Sequence, residues 1–138
     1  MFHKLFITGG AGFIGSAFVR LILAERPQWH ITNFDALTYA GNLDNLAELD
    51  ASRHRFVHGD IANREAVLAA LNDGTDAIIN FAAESHVDRS IMSADEFLRT
   101  NVIGTQILLD AARAKNVKRF LQVSTDEVMG SLPEDDAA

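Results

Sequence analysis

Residues Thr125, Asp126 and Glu127 are the part of this chain best suited to acid–base chemistry. Thr125 carries a hydroxyl that both donates and accepts hydrogen bonds. Asp126 and Glu127 are adjacent carboxyls, and two close carboxyls resist ionising together, so one can serve as an acid while the other serves as a base. The elimination of water needs both, since a base removes a proton from carbon and an acid protonates the departing hydroxyl. By spacing alone, an acidic pair that starts a helix explains the pattern at least as well.

A glycine-rich stretch near the amino terminus, residues 8–16 (TGGAGFIGS), is typical of a phosphate-binding turn. It follows an apolar run and precedes a helical pattern, an order that lets backbone N–H groups approach a pyrophosphate at the positive end of the helix. Gly9, Gly12 and Gly15 each omit a Cβ that could block the turn, the phosphate or helix packing. Asp35 follows about 20 residues later, the separation expected of a carboxylate that binds an adenosine ribose. A turn kept only for packing would not explain Asp35, so the sequence predicts a dinucleotide site.

The composition is that of a globular protein, because 48% of the 138 residues are hydrophobic and 22% are charged. This length predicts one domain over residues 1–138. The net charge of −7 disfavours nucleic acid and anionic membranes as partners, but not a nucleotide, which needs only local donors. The chain has no cysteine, which excludes thiolate chemistry, and we expect no metal site. The uncharged run at residues 5–19 is broken by glycines and shorter than the ~20 residues of a membrane span, so we expect a cytoplasmic protein.

Strand and helix patterns alternate along the whole chain. The predicted strands lie at residues 5–7, 30–35, 55–58, 77–82 and 119–124. The predicted helices lie at residues 13–26, 43–49, 63–71 and 93–115. Near-continuous apolar strands separated by helices predict an α/β fold, a Rossmann-like doubly wound parallel sheet of about five strands with helices on both faces.

The Rossmann strand order, 3-2-1-4-5, would leave strand five at one edge of the sheet. We expect that edge to be bare and the helix at residues 97–114 to lose cover on one flank. The helix carries the apolar residues Val102, Ile103, Ile107, Leu108 and Leu109, which is more than a solvated helix requires. Bare apolar edges recruit other chains, so we expect the 138-residue chain to associate or aggregate there.

Polar and glycine residues follow every predicted strand. In an open parallel sheet, ligands bind beyond the carboxyl ends of the strands. The residues at those ends are Gly9, Asp35, Asp60, residues 83–86 and residues 125–127. Each alone is explained as a solvated loop residue, and for Asp60 alone that explanation is the better one. Because five strand ends share one edge, a single composite site is the better interpretation of the whole set.

Five motifs of the chain together resemble those of the dTDP-glucose 4,6-dehydratases, a family of the extended short-chain dehydrogenase/reductase superfamily. They lie at residues 8–16, 37–43, 82–90, 100–105 and 124–128. The resemblance covers nearly the whole chain. The glycine motif is specific only to the superfamily, whereas the run AESHVDRS together with TDE is specific to nucleotide-sugar dehydratases.

The resemblance implies a reaction on dTDP-glucose. NAD+ takes a hydride from C4 of the glucose, a base removes the C5 proton as water leaves from C6, and NADH returns the hydride to C6. The product is a 4-keto-6-deoxy sugar nucleotide. By position, Thr125 would hydrogen-bond the sugar near C4, Asp126 would protonate the leaving hydroxyl, and Glu127 would take the C5 proton.

The same resemblance implies a set of binding residues. Those of the pyrophosphate motif are Gly9, Gly12, Phe13, Ile14 and Gly15. Those of the adenosine half are Asp35, Thr38, Asp60 and Ile61. Those bordering the nicotinamide half are Ala82, Ala83 and Thr100. Those approaching the sugar nucleotide are Glu84, Ser85 and His86, whereas Asn101 is expected to brace the turn after strand four.

Two features of the family have no counterpart in these 138 residues. The superfamily uses a Tyr-x-x-x-Lys pair on a helix after strand five, but the one tyrosine here is Tyr39, which lies in another loop with Leu43 four positions on. We expect the pair and the substrate domain to lie beyond residue 138, so that the isolated chain is inactive and the full-length protein is a homodimer. Met129 stands where the family typically has tyrosine. A substitution at a packing position is the preferred explanation, and an altered shape near the sugar is the alternative.

Two other functions stay open. One is a stand-alone dinucleotide-binding module without catalysis, which would act as an interaction protein. The other is a related nucleotide-sugar epimerase or decarboxylase. Those enzymes typically lack Asp-Glu after the threonine, so Asp126 and Glu127 argue against this last alternative. The carboxylate of Asp35 favours NAD over NADP in each case, because it repels a 2′-phosphate.

Overall fold

The computed structural model describes residues 3–85 and 94–130, which contain a five-stranded parallel sheet. Its strands are β1 (Lys4–Thr8), β2 (His30–Asp35), β3 (His54–His58), β4 (Ala77–Asn80) and β5 (Arg119–Gln122). Their order in the sheet is β3-β2-β1-β4-β5, as the sequence predicts. This order confirms the Rossmann-like α/β fold. Strands β4 and β5 each end two residues earlier than predicted.

The helices follow the strands in the expected alternation. They are α1 (Phe13–Glu25), α2 (Arg64–Ala70) and a third helix, α3, which consists of Ala94–Phe97, the π-helical Leu98–Gly104 and Thr105–Ala114. Two short 3₁₀ turns cover Leu43–Leu46 and Asp126–Met129. The predicted helix at residues 43–49 is therefore wrong in type and length. Ser93, predicted to open α3, lies outside the described residues. None of the helices in residues 3–85 and 94–130 is long and apolar enough to cross a membrane.

Alternate residues of the strands pack against opposite layers of helices. On one face Phe6, Phe34 and Ile78 form a core with residues of α2 and α3. On the other face Leu5 and Ile7, together with their sheet neighbours, pack against α1. This arrangement explains the continuous apolar strands, because each strand of the sheet interior is covered on both sides.

One flank of α3 is exposed, and the other faces the core. Val102, Ile103 and Leu109 are 58%, 48% and 44% exposed. Ile107 and Leu108 are 6% and 0% exposed. They pack in the core between α3 and the sheet, because they lie on the opposite side of the helix.

A row of polar side chains runs across the sheet within the apolar layers. Thr8, Asn80 and Gln122 are paired in register on β1, β4 and β5. The Thr8 hydroxyl donates to Asn80 Oδ1, and Asn80 Nδ2 donates to Gln122 Oε1 at 2.8 Å. Asn80 Oδ1 also accepts from the backbone N–H of Ala82 at 3.1 Å. The row therefore satisfies its own buried polar groups and fixes the register of three strands.

The π-helical part of α3 lies close to the carboxyl edge of the sheet. A Cβ at Gly104 would come within 2.6 Å of the Ile61 side chain, so glycine allows α3 to approach the loop after β3. A π-helix turns less per residue than an α-helix because its hydrogen bonds span five residues. Arg99 and Thr100 of this segment line the cleft at that edge, and Asn101 bonds the turn after β4.

Candidate functional site

A cleft opens at the carboxyl edge of the sheet, where the sequence predicts the composite site. The predicted residues that line it are Gly9, Gly12, Asp35, Thr38, Asp60, Ile61, Ala82, Ala83, Glu84 and Thr100. The cleft thus brings together the ends of β1, β2, β3 and β4. The lining side chains that sequence reasoning missed include Glu96 and Arg99 from α3. The only signal in the sequence for these two residues was that they lie four and one positions before Thr100, a predicted site residue.

Gly9, Gly12 and Gly15 differ in what an added Cβ would meet. Gly9 has a φ of +69°, and a Cβ there would lie 2.5 Å from the backbone nitrogen of Ala82. A Cβ at Gly15 would lie 2.2 Å from the carbonyl oxygen of Gly9, so this glycine lets α1 pack on the turn. A Cβ at Gly12 would meet nothing closer than that same oxygen at 3.4 Å. The protein's own contacts therefore do not require glycine at position 12, which lines the open cleft.

The start of α1 is not capped by a side chain. Gly12 precedes the helix in an extended conformation, and no side chain accepts a hydrogen bond from the N–H groups of the first turn at this cap. The first residues of the helix, Phe13 and Ile14, are 89% and 62% exposed and do not line the cleft. A helix start without a cap leaves donors and the positive end of the dipole available to an anion.

Asp35 lies in the wall of the cleft with both carboxylate oxygens already engaged. Oδ2 accepts from the backbone N–H of Ala11 and Oδ1 accepts from that of Leu37, each at 2.8 Å. Asp35 is only 8% exposed, so these bonds hold the carboxylate in one orientation. Leu37 has a φ of +51°, a strained value for a residue with a side chain, and its bond to Asp35 stabilises it. Each carboxylate oxygen keeps a further lone pair for a ligand hydroxyl.

The loop after β2 is attached to the glycine turn through Ala11. The carbonyl oxygen of Ala11 accepts from the backbone N–H of Asn42 at 3.1 Å and from Asn45 Nδ2 at 2.9 Å. Within the loop, the N–H of Gly41 donates to the carbonyl of Thr38 at 3.0 Å. Both Thr38 and Gly41 line the cleft. The loop and the glycine turn therefore form one hydrogen-bonded unit on this side of the cleft.

The end of β3 is joined to α3 by an ion pair. Asp60 Oδ1 accepts from the backbone N–H of Ala62 at 2.8 Å, and Arg99 Nη2 lies 2.6 Å from Asp60 Oδ2. Arg99 Nη1 lies 4.0 Å from Glu96 Oε2. All three charged side chains line the cleft. Asp60 thus lies in the cleft together with the predicted residues of the neighbouring strand ends.

The turn after β4 is held by Asn101. The N–H of Glu84 donates to Asn101 Oδ1 and Asn101 Nδ2 donates to the carbonyl of Glu84, both at 2.9 Å. This confirms that Asn101 braces the turn after strand four. Ser85 is exposed and does not line the cleft, and His86 lies outside the described residues.

The acidic pair after β5 lies on the same edge of the sheet but does not line the cleft. The backbone N–H of Glu127 lies 3.4 Å from Thr125 Oγ1, and Thr125 Oγ1 lies 3.2 Å from Asp126 Oδ1. Thr125 thus caps the 3₁₀ turn that contains both carboxyls, and all three residues are exposed. Met129 is 86% exposed, and its interpretation as a packing position stays a prediction.

Within residues 3–85 and 94–130, no group of three or more histidine, aspartate or glutamate side chains is arranged to hold a metal ion. The cleft combines the uncapped start of α1, the hydrogen-bonded carboxylate of Asp35 and small residues along one edge. That combination suits an extended ligand with an anionic centre and hydroxyl groups on either side.

Comparison with known proteins gives a consistent family. The family model of GDP-mannose 4,6 dehydratase matches residues 6–137. The Low-salt glycan biosynthesis protein Agl12 of Haloferax volcanii is 58% identical over 127 residues, which are 91% of this chain and 40% of that protein. A dTDP-glucose 4,6-dehydratase of Streptomyces niveus is 51% identical over 136 residues, 95% of this chain and 40% of the enzyme.

Solved structures give the same result. DesIV, a dTDP-glucose 4,6-dehydratase from Streptomyces venezuelae solved with NAD bound, superposes with a TM-score of 0.88 at 54% identity, over 95% of this chain and 42% of its own. UDP-glucose 4-epimerase from Thermus thermophilus, also with NAD, gives 0.84 at 27% identity over 98% of this chain and 42% of its own. The chain thus spans about two fifths of the length of these relatives. The motif resemblance is confirmed, and the chain belongs to the GDP-mannose 4,6 dehydratase family.

Proposed function

We propose that the cleft binds NAD. The observation that carries this proposal is the placement of Asp35 beside the glycine turn, with its carboxylate fixed by Ala11 and Leu37. The residues present fit a dinucleotide. The pyrophosphate would lie at the uncapped start of α1, where a Cβ at Gly12 would meet nothing closer than the Gly9 carbonyl oxygen at 3.4 Å. The adenosine ribose hydroxyls would bind Asp35, with Thr38 nearby.

The strand order supports the assignment of residues to the two ends of the dinucleotide. Asp60 and Ile61 at the end of β3 would contact adenine, and Ala82, Ala83 and Thr100 near the end of β4 would border the nicotinamide half. Asp35 would exclude NADP, because a 2′-phosphate would be placed against a carboxylate that is 8% exposed and cannot turn away. The structural relatives solved with NAD support this cofactor.

We further propose that the full-length protein is a nucleotide-sugar dehydratase acting on dTDP-glucose. Bound NAD would supply a hydride acceptor for the sugar and then a hydride donor. The Thr125 hydroxyl would hydrogen-bond the sugar near C4, Asp126 would give a proton to the hydroxyl leaving C6, and Glu127 would take the proton from C5. The sugar nucleotide would be approached by Glu84, Ser85 and His86. The Tyr-x-x-x-Lys pair is expected outside these 138 residues, so the isolated chain would not turn over substrate.

The dehydratase is favoured over the epimerase. Identity is 54% to the dehydratase DesIV and 27% to the Thermus thermophilus epimerase, although the two structures superpose almost equally well. The adjacent carboxyls Asp126 and Glu127 are also what a dehydration requires. The homodimeric state of the full-length protein and its cytoplasmic location stay predictions of the sequence.

The cofactor assignment is tested by calorimetric titration of the chain with NAD+ and with NADP+. We expect NAD+ to bind and NADP+ to bind much more weakly. Equal affinities would remove the role given to Asp35, and the absence of NAD+ binding by the folded chain would refute the assignment of the cleft.

A further inference from the structure

Arg99 is the feature of the cleft to which the proposed function gives no role. Of the described residues that line the cleft, Arg99 is the only cation. It lies in the π-helical segment of α3, with its guanidinium 2.6 Å from Asp60 Oδ2 and 4.0 Å from Glu96 Oε2. The side chain is 48% exposed, so packing against neighbouring residues does not hold it in one position. The two carboxylates therefore define where the guanidinium lies.

The ion pair identifies the end of the cleft that Arg99 serves. Asp60 follows β3, whereas Gly12 follows β1, and β2 lies between these two strands. Two interstrand spacings amount to about 10 Å. The guanidinium is thus at the lateral end of the cleft, away from the helix start where a pyrophosphate would be bound. Its position does not favour direct neutralisation of the phosphates.

The lateral end of the cleft suits a flat apolar ring. Gly59 and Ile61 line it, and Ile61 is 3% exposed because it packs beneath Gly104 of α3. A ring placed against this wall would present one face to the cleft. A guanidinium is planar and weakly hydrated, and it stacks on the faces of nucleobases. Arg99 supplies such a group next to Asp60.

We propose that Arg99 binds the adenine ring by stacking its guanidinium on the face of the base, and that Asp60 holds the guanidinium in position for this contact. The inference rests on the proposed NAD function and adds a binding residue to it. Because the ion pair orients the guanidinium before the ligand arrives, little side-chain freedom is lost on binding. Glu96 Oε2 lies 4.0 Å from Nη1 of the same group and adds a second negative charge near it.

The test compares Arg99→Ala and Arg99→Lys with a matched control, Arg64→Ala. Arg64 forms an ion pair of the same length, 2.6 Å from Asp110 Oδ2, and does not line the cleft. We expect Arg99→Ala to raise the Kd of NAD+ and of ADP-ribose by the same factor, about tenfold. Arg64→Ala should leave both constants unchanged. Thermal melting of the three variants checks that each is folded.

The lysine variant separates stacking from charge. Lysine keeps the positive charge and reaches Asp60, but it lacks a planar group, so we expect Arg99→Lys to lose nearly as much affinity as Arg99→Ala. Full affinity in Arg99→Lys would overturn the inference and leave only an ion pair. A loss for NAD+ without a loss for ADP-ribose would also overturn it, since the effect would then lie in the nicotinamide half.

The same titrations distinguish failure of the inference from failure of the proposed function. If the unmutated chain binds NAD+ and Arg99→Ala binds it equally well, only the role of Arg99 is lost. If the folded, unmutated chain binds neither NAD+ nor ADP-ribose, the NAD site and the role of Arg99 are both refuted.

Discussion

The carboxylate of Asp35 is hydrogen-bonded to the backbone N–H of Ala11 at 2.8 Å, across 24 positions of the sequence. The side chain proposed to recognise the ribose therefore also holds the glycine turn against the loop after β2. Ala11 is fixed on its other side as well, since its carbonyl accepts from Asn42 and Asn45. Cofactor discrimination and the shape of the turn thus depend on one carboxylate.

Substitution of Asp35 is expected to change both properties. Asp35→Ala leaves two backbone N–H groups without an acceptor, which costs about 1–3 kcal/mol of stability for each group that stays buried. The same variant removes the repulsion of a 2′-phosphate, so the ratio of NADP+ to NAD+ dissociation constants should fall. Titration calorimetry and denaturant unfolding measure the two effects. Asp44→Ala, at an exposed acidic residue of the neighbouring 3₁₀ turn, is the control and should change neither.

Alanine at position 15 is expected mainly to destabilise the fold, whereas alanine at position 12 is expected mainly to weaken NAD+ binding. A Cβ at Gly15 meets the carbonyl oxygen of Gly9 at 2.2 Å, so Gly15→Ala should destabilise the fold by about 1–3 kcal/mol, more than its better helix propensity returns. Gly12→Ala meets only ordinary contacts and should cost less than about 1 kcal/mol. It should still weaken NAD+ binding, because the methyl group projects toward the ligand. A Gly12→Ala chain with parental affinity would contradict the proposed pyrophosphate position.

The half-buried side chain of His54 gives the fold a pH dependence. Burial lowers the pKa of His54 below its usual 6.5, because the protonated ring loses hydration in the fold. Below pH 6.5 the unfolded chain therefore binds more protons at this site, and stability falls as the pH drops through the lowered pKa. We expect His54→Gln to reduce the decrease in unfolding free energy between about pH 8 and pH 5. Urea unfolding over this range measures it, and an identical decrease in both proteins would contradict the prediction.

The acidic pair after β5 is expected to act in turnover and not in cofactor binding. In a full-length form, Asp126→Asn and Glu127→Gln should each lower the formation of the 4-keto product by roughly 10²-fold or more, as is typical of losing a positioned acid or base. Neither side chain lines the cleft, so NAD+ affinity should survive both changes. Product absorbance in alkali and calorimetry provide the two measurements. Formation of product by the purified 138-residue chain would show that the Tyr-x-x-x-Lys pair is not needed.

Exposed apolar residues in β5, in the 3₁₀ turn that follows it and in α3 predict self-association of the 138-residue chain. Leu121, Val128 and Val102 are 54%, 69% and 58% exposed, and no strand within the described residues pairs with the outer edge of β5. Such an edge recruits further strands. We expect light scattering to detect association and Leu121→Lys to reduce it. A stable monomer that binds no hydrophobic dye would show that the edge is misplaced.

The sheet was predictable because its signals are local and repeated. Apolar runs followed by glycine or acidic residues occur at each strand, and the parallel order follows from the helices between them. The ends of β4 and β5 were not predictable, because the apolar character of Phe81 and Val123 continues beyond the last ladder pair. The π-helical part of α3 was also missed, since its apolar spacing does not differ visibly from that of an α-helix.

The candidate site was predictable where a residue follows a strand, as Asp35 and Asp60 do. Arg99 could not be found in this way, because its relation to the cleft depends on how α3 packs over the loop after β3. The contact between Gly104 and Ile61 sets that packing, and no local pattern records a contact between residues so far apart.

Thr8, Asn80 and Gln122 are joined by hydrogen bonds, so a substitution at one of these three positions affects the other two. An apolar residue at Asn80 would leave the Thr8 hydroxyl, the Gln122 amide and the N–H of Ala82 without their present partner. Related sequences should therefore exchange the residue on β4 together with its neighbours on β1 and β5. The segment that ends in the glycine turn and the one that leads to the acidic pair would in this way evolve under a shared constraint, although they lie more than a hundred positions apart.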